Sequence, residues 1–219
     1  TGKITRFSRG PKGIDFSSLT ISSLLNVGKH RIYAAVIGLG VLVFDTQKNT
    51  FLPNESELKN SLVKDVVRLY KHSNGSIWMG TRTGQLISYV GNHSFIPFDF
   101  SGKSMASNFR VRALFEAKNG DLLIGTEGKG LFRFNPQNQH FRSVFYQSAQ
   151  PLSRQNIVTS LVKDANENLW IGTDNGVYTL KGEDFKQVHH IPSNPDAIKK
   201  ALRSEEHTSE LQSLRHISY

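Results

Sequence analysis

Three segments of the chain set apolar and small residues in the same register: Ile77-Trp78-Met79-Gly80-Thr81, Leu122-Leu123-Ile124-Gly125-Thr126 and Leu169-Trp170-Ile171-Gly172-Thr173. A polar turn containing Asn precedes each one, at Asn74-Gly75, Asn119-Gly120 and Asn166-Glu167-Asn168. Ile32-Tyr33-Ala34-Ala35-Val36 is a degenerate copy upstream. Alternation with period two inside these segments predicts half-buried strands rather than helices. In the last copy, residues 157–162, 169–173, 177–180 and 185–190 read as four strands, with turns at 164–168, at Asp174-Asn175-Gly176 and at Lys181-Gly182-Glu183-Asp184. The copy before it reads the same way through 111–115, 121–126, 131–134 and 140–146, and the first through 19–26, 30–36, 41–45 and 51–52. Asn, Asp and Gly in the turns tolerate left-handed backbone, so the hairpins have a chemical cause.

Taking Ala35, Gly80, Gly125 and Gly172 as equivalent gives intervals of 45, 45 and 47 residues. That spacing belongs to propeller blades and is too long for leucine-rich or tetratricopeptide repeats. The expected fold is all-β: an open, unclosed fragment of a β-propeller with about four blades of four antiparallel strands each. The blades are expected at 8–53, 54–100, 101–147 and 148–192, with the end of a preceding blade at 1–7 and an inter-blade linker at 193–202. A single sheet of this size cannot bury both faces, so neighbouring blades must stack. Tyr33, Trp78, Leu123 and Trp170 occupy the bulky position between blades. Gly80, Gly125 and Gly172 allow close backbone approach there, with Ala35 as the nearest substitute, and Thr81, Thr126, Thr173, Gly176 and Asp164 complete the structural motif positions.

Residues 163–178, Lys-Asp-Ala-Asn-Glu-Asn-Leu-Trp-Ile-Gly-Thr-Asp-Asn-Gly-Val-Tyr, resemble the two-component regulator propeller repeat, whose pattern is D-x-x-G-x-L-W-I-G-T-x-x-G-L. Residues 71–86, 117–132 and, more weakly, 27–45 are similar, so the resemblance covers nearly all of 1–200. Departures are the Tyr33-Ala34-Ala35 copy, Leu123 in place of Trp, and Glu167-Asn168 where Gly is usual. The resemblance implies the periplasmic sensor region of an inner-membrane hybrid histidine kinase, in which propellers precede a sandwich domain, a membrane helix and the kinase. It implies signal transduction without catalysis by these residues and an oligosaccharide ligand. The expected partners are further blades and signalling domains of the parent chain, and a second copy of the parent in a homodimer. A secreted propeller polysaccharide hydrolase or lyase and a protein-interaction propeller are the rival readings.

Residues 203–219 resemble the in-frame translation of a short-read sequencing adapter, so no function is expected of them. The rival reading there is an amphipathic helix with Leu211 and Leu214 at helical spacing. The formal charge of the chain is +9, and it becomes +10 without Arg203, Arg215, Glu205, Glu206 and Glu210. The basic balance therefore belongs to the repeats and favours acidic partners in general. Charges spread along every repeat are not the concentrated stripe that nucleic acid requires, so no nucleic-acid partner is expected. The longest apolar run, 32–44, is interrupted by Gly38 and Gly40 and is too short for a membrane span.

No cysteine is present, which removes disulfides and thiolate metal sites. No cofactor, metal or catalytic residue is expected. Gly38-Leu39-Gly40 and Gly128-Lys129-Gly130 read as hairpin turns and not as dinucleotide loops. Adjacent His189 and His190 on a strand point to opposite faces and do not make a shared metal site. The segment from Asp164 to Trp170 is similar to the Asp-box hairpin of sialidase-type propellers, a structural turn there too. Arg110, Arg112, Arg82, Arg31 and Lys29 are candidate cations for an acidic sugar, with Tyr89 or Phe109 as stacking partners. Asn54, Asn74 and Asn92 match the glycosylation pattern, which blade turns produce freely.

Overall fold

The computed structural model describes residues 4–52, 61–91, 94–99, 109–145, 154–181 and 187–191. Period-two alternation and Asn/Gly turns resolve there into four antiparallel sheets of four strands, each joined in simple sequence order. The first blade holds β1 (Ile21–Gly28), β2 (Arg31–Val36), β3 (Gly40–Asp45) and β4 (Thr50–Phe51). The second holds β5 (Val66–Lys71), β6 (Ile77–Thr81), β7 (Gln85–Tyr89) and β8 (Phe95–Asp99). The third holds β9 (Val111–Glu116), β10 (Leu122–Thr126), β11 (Leu131–Asn135) and β12 (His140–Phe145). The fourth holds β13 (Val158–Lys163), β14 (Leu169–Thr173), β15 (Gly176–Lys181) and β16 (Gln187–Ile191). First strands pack against one another in order, β1 on β5, β5 on β9 and β9 on β13, so they line the inside of an open, unclosed propeller arc.

Alternation along β6 and β10 sends side chains to two different neighbours, while Trp170 of β14, expected between blades, is partly buried and belongs to no core cluster among the described residues. Tyr33 and Ala35 point into a core shared with Val63, Val66, Leu69, Ile77 and Met79 of the second blade. On β6, Ile77 and Met79 thus face backward, while Trp78 faces forward into a core with Phe109, Val111, Leu122, Ile124 and Phe134. Leu123 of β10 repeats the forward position against Val158, Leu169, Ile171, Tyr178 and Leu180. One strand thereby serves two interfaces, which is why β6 and β10 are buried along their whole length.

Gly80 and Gly125 sit where a first strand of the next blade passes, whereas Gly172 faces Ser160 and Thr159 of its own first strand. A Cβ built on Gly80 would lie 2.7 Å from Val111 Cβ, and one on Gly125 would lie 2.6 Å from Val158 Cγ1. Neither contact can relax by moving a flexible side-chain end, because valine is stiff at χ1 and its strand is held on both sides. Ala35 faces Val66 at the first interface, where the backbones leave room for one methyl group.

Four equivalent turn positions take left-handed backbone: His30 (φ 59), Gly75 (φ 89), Gly120 (φ 82) and Glu167 (φ 66). The turn geometry is thus common to all four blades, and two of them accept a residue with a Cβ at a cost of about 1–2 kcal/mol. Gly38, Gly40, Gly128 and Gly130 also have positive φ and form the hairpin turns expected of them. Residues 4–8 form no strand, and Phe7 rests edge-on against Phe44 at 4.8 Å. The Lys181–Asp184 turn beyond Lys181, the linker at 193–202 and residues 203–219 lie outside the described residues.

Two variants check this packing. Gly125→Ala is expected to lower stability by about 1–3 kcal/mol through overpacking, and Val158→Ala in the same chain is expected to recover part of the loss, measured by urea unfolding. Glu167→Gly is expected to raise the thermal midpoint by relieving the left-handed conformation, although it removes the Lys163–Glu167 ion pair.

Candidate functional site

Each blade has a lower end, with the turns joining first to second strands, and an upper end, where first strands begin and second strands finish. At the lower end of the fourth blade, Asp164 organises its own turn. Its Oδ1 accepts the N–H groups of Asn166 at 2.9 Å and Asn168 at 2.8 Å. Its Oδ2 accepts the Asn168 amide and the Trp170 indole N–H, both at 2.9 Å. These donors, Trp170 first, hold the carboxyl below its usual range.

The equivalent position in the second blade is His72, and there the outcome differs. Nδ1 accepts the Asn74 N–H at 3.2 Å, so Nε2 carries the proton and donates to Gly120 O of the next blade at 2.9 Å. Glu116 of the third blade accepts from Ser73 N–H at 2.8 Å and from the Ser73 hydroxyl. With its turn partner replaced, the buried Trp78 Nε1 has no hydrogen-bond partner among the described residues. Asn74, one of the glycosylation-pattern residues, spends its side-chain oxygen on Ser76 N–H and hydroxyl at 2.9 and 2.7 Å. Asn54 and Asn92 lie outside the described residues.

At the upper end the repeat threonines close the turns between second and third strands. Thr81 Oγ1 accepts the Gln85 N–H at 2.8 Å, while Thr126 and Thr173 donate to Gly130 O at 2.8 Å and Gly176 O at 2.9 Å. Each first strand carries an irregularity here, one residue opposing none, at Ser22, Val67, Arg112 and Thr159. The bulges free backbone carbonyls, and Arg68 collects three of them. Its Nη1 donates to Ser22 O at 2.9 Å and Val67 O at 2.8 Å, and its Nε donates to Arg112 O. One guanidinium thus ties the first, second and third blades. Burial, followed by the charges of Arg110 and Arg112, lowers the Arg68 pKa. Arg112 donates to Glu127 at 3.0 Å, which raises the pKa of the arginine and lowers that of the acid.

The candidate cations named from sequence therefore separate. Arg82, Arg110 and Arg112 lie at the upper end, Arg82 paired with Asp65 at 3.0 Å, whereas Lys29 and Arg31 lie at the lower end. The expected stacking partners are not available. Tyr89 packs on Phe95 inside the first interface, and Phe109 lies in the second, both 6% exposed. Forward- and backward-facing burial consumes these aromatics, as it does most large apolar groups of the second and third strands. Of His189 and His190 only the backbone is described, paired with Thr179 and Tyr178. Arg68 and Glu127 had no sequence signal beyond a basic residue where the other first strands have Ser23, Ala113 and Ser160.

Residues 152–175 match the family model described as two component regulator propeller. That match falls on the fourth copy of the repeat. A histidine kinase named P4, from Formosa agariphila, is 31% identical over 88 residues, 38% of this chain and 6% of its own length. Among solved structures, the extracellular domain of a protein titled as a hybrid two component system from B. thetaiotaomicron superposes with a TM-score of 0.65 at 22% identity, over 86% of this chain and 24% of that one. The virginiamycin B lyase of Staphylococcus aureus, in its H270A form with quinupristin, gives 0.62 at 11% identity, over 82% and 57%. Both likenesses show the propeller fold. This chain spans 6% of the length of that histidine kinase and 24% of that extracellular domain. No helix among the described residues is long and apolar enough to cross a membrane.

The Asp164 network fixes a pH dependence. Because the folded-state carboxyl titrates below its unfolded value, its stabilisation is present above about pH 4 and fades as pH falls through the folded pKa. Asp164→Ala is expected to unfold at lower urea than the parent chain at pH 7, with the difference shrinking by pH 3, read by tryptophan fluorescence.

Proposed function

We propose that this chain is a ligand-sensing, non-catalytic propeller region on the periplasmic side of a bacterial transmembrane two-component sensor, and that its ligands are glycan-derived. The observation that carries the reading is the fate of the repeat residues. Trp78, Gly80, Leu123 and Gly125 lie inside blade interfaces, Thr81, Thr126 and Thr173 close turns, and Asp164 holds Trp170, so the motif builds a scaffold and leaves ligand recognition to the loop ends. The histidine kinase relative supports the signalling context.

Ligand binding would bias the position of the propeller relative to the next domain of the parent, and that shift would set the output of a cytoplasmic kinase, within a homodimer. A ligand can do so only through different affinities for the two arrangements. Further blades and signalling domains of the parent are the partners this requires. The domain divisions at 8–53, 54–100, 101–147 and 148–192 follow the same reading, each boundary falling between the last strand of one sheet and the first of the next.

Calorimetry of the 219-residue chain against neutral and acidic oligosaccharides tests the proposal. At least one sugar is expected to bind with saturable heat and to raise the thermal midpoint by roughly 3–5 °C at ten times its Kd. Turnover of any sugar in the panel, or no binding across it, would overturn the reading.

A further inference from the structure

Three guanidiniums gather where the inner strands begin. Arg68 is anchored by carbonyls on three blades and cannot swing away. Arg112 occupies a bulge and leans on Glu127. Arg110, half-buried one residue before β9, has no carboxylate pair among the described residues, and Glu127 lies within electrostatic reach of it as well as of Arg112. Among the described residues Glu127 is the acid that both arginines share, with Asp174 exerting a weaker pull on Arg112.

Further cations stand at the same end. Lys64, Arg110 and Arg154 stand where first strands begin, and Arg82 and Lys129 stand in the turns between second and third strands. Among the described residues, Asp65, Glu127 and Asp174 are acids at this end, as is Asp99, which ends β8 opposite Gln85, and Asp65 is already taken by Arg82. Antiparallel strands bring these residues to one end whatever their separation in sequence.

A positive charge held half-buried beside two others is costly unless an anion shares the site. Here the fold creates that situation, since the bulge carbonyls pin the Arg68 guanidinium between neighbouring arginines. Arginine forks match the planar geometry of carboxylate and the oxygens of sulfate, so the ligand chemistry that answers this face is an acid group on a sugar.

We infer that the upper face binds an anionic oligosaccharide, its carboxylate or sulfate held by Arg110 and Arg112 against the fixed charge of Arg68. This rests on the glycan-sensing reading above and narrows it to acidic sugars. Arg110 and Arg112 contact the ligand, and Arg68 is a positioning residue that keeps the blades and their bulges in register.

The test is calorimetry of the 219-residue chain with three probes: trigalacturonate, a sulfated heparin disaccharide and neutral cellotriose, each at 50 and 300 mM NaCl. An acidic probe is expected to bind at least about tenfold tighter than cellotriose and to weaken with salt, and the stronger of the two identifies carboxylate or sulfate as the recognised group. Arg110→Gln is expected to cost about tenfold and the Arg110→Gln/Arg112→Gln pair about a hundredfold. Lys48→Gln and Lys118→Gln, in lower turns, are expected to bind as the parent chain does. Urea midpoints check that Arg110→Gln, which breaks no ion pair among the described residues, leaves folding intact. Tight cellotriose binding indifferent to Arg110→Gln would overturn the acidic assignment while leaving the glycan reading standing. No binding of any probe or of the wider panel would remove both. Acidic binding weakened equally by the upper and lower substitutions would mean diffuse charge attraction and would overturn the site.

Discussion

Everything in this chain depends on how closely one blade lets the next approach. Gly80 and Gly125 lie against Val111 and Val158, with no space for a methyl group between them. That contact sets the distance at which Trp78 and Leu123 can fill the remaining gap with Phe109, Phe134, Tyr178 and Leu180. A fully buried side chain of this size contributes about 1.5–3 kcal/mol, and each interface gathers many of them, whereas an isolated four-stranded sheet has two unprotected faces. Stability is therefore a property of neighbouring pairs of blades. Strands β6 and β10 are the most buried elements because each belongs to two interfaces.

The same constraint divides the molecule into two ends with different chemistry. Lower turns satisfy themselves: Asp164 binds four donors of its own hairpin, and His72, Ser73 and Glu116 tie the second turn to the third blade. At the upper ends the repeat threonines close their own turns, while the first strands carry bulges whose carbonyls lie among several cations. Arg68 answers three of those carbonyls and fixes its charge in doing so. The scaffold and the candidate site thus share a cause: the geometry that stacks the blades also concentrates arginine at one rim.

Much of this was legible in the residue pattern. Intervals of 45, 45 and 47 residues, together with period-two alternation, specify blades, strand order and the forward-facing positions, because a register that repeats must repeat its packing. Strand ends moved by a residue or two, as at β1 and β13, where bulges shift the pairing. Partner identity was not legible. Trp78 and Trp170 are the same residue at the same position, yet one indole is bonded and the other is not, since six residues upstream one turn has His72 and the other Asp164. Tyr89 and Phe109 read as stacking surfaces but are buried, a consequence of neighbouring blades that no single repeat reveals. Arg68 escaped notice because its partners, Ser22 and Arg112, come from strands 46 and 44 residues away.

The central claim is a division of labour, with repeat residues holding the blades together and the upper rim meeting the ligand. Hydrogen exchange followed by mass spectrometry, with and without saturating trigalacturonate, tests both halves in one measurement. The account predicts that amides of β6 and β10 exchange slowest and equally in both samples, and that the sugar slows exchange at residues 109–112 and 127–130. Protection by the sugar confined to the lower turns at 72–75, 117–120 and 164–168, or β6 and β10 amides exchanging as fast as the turns, would contradict it.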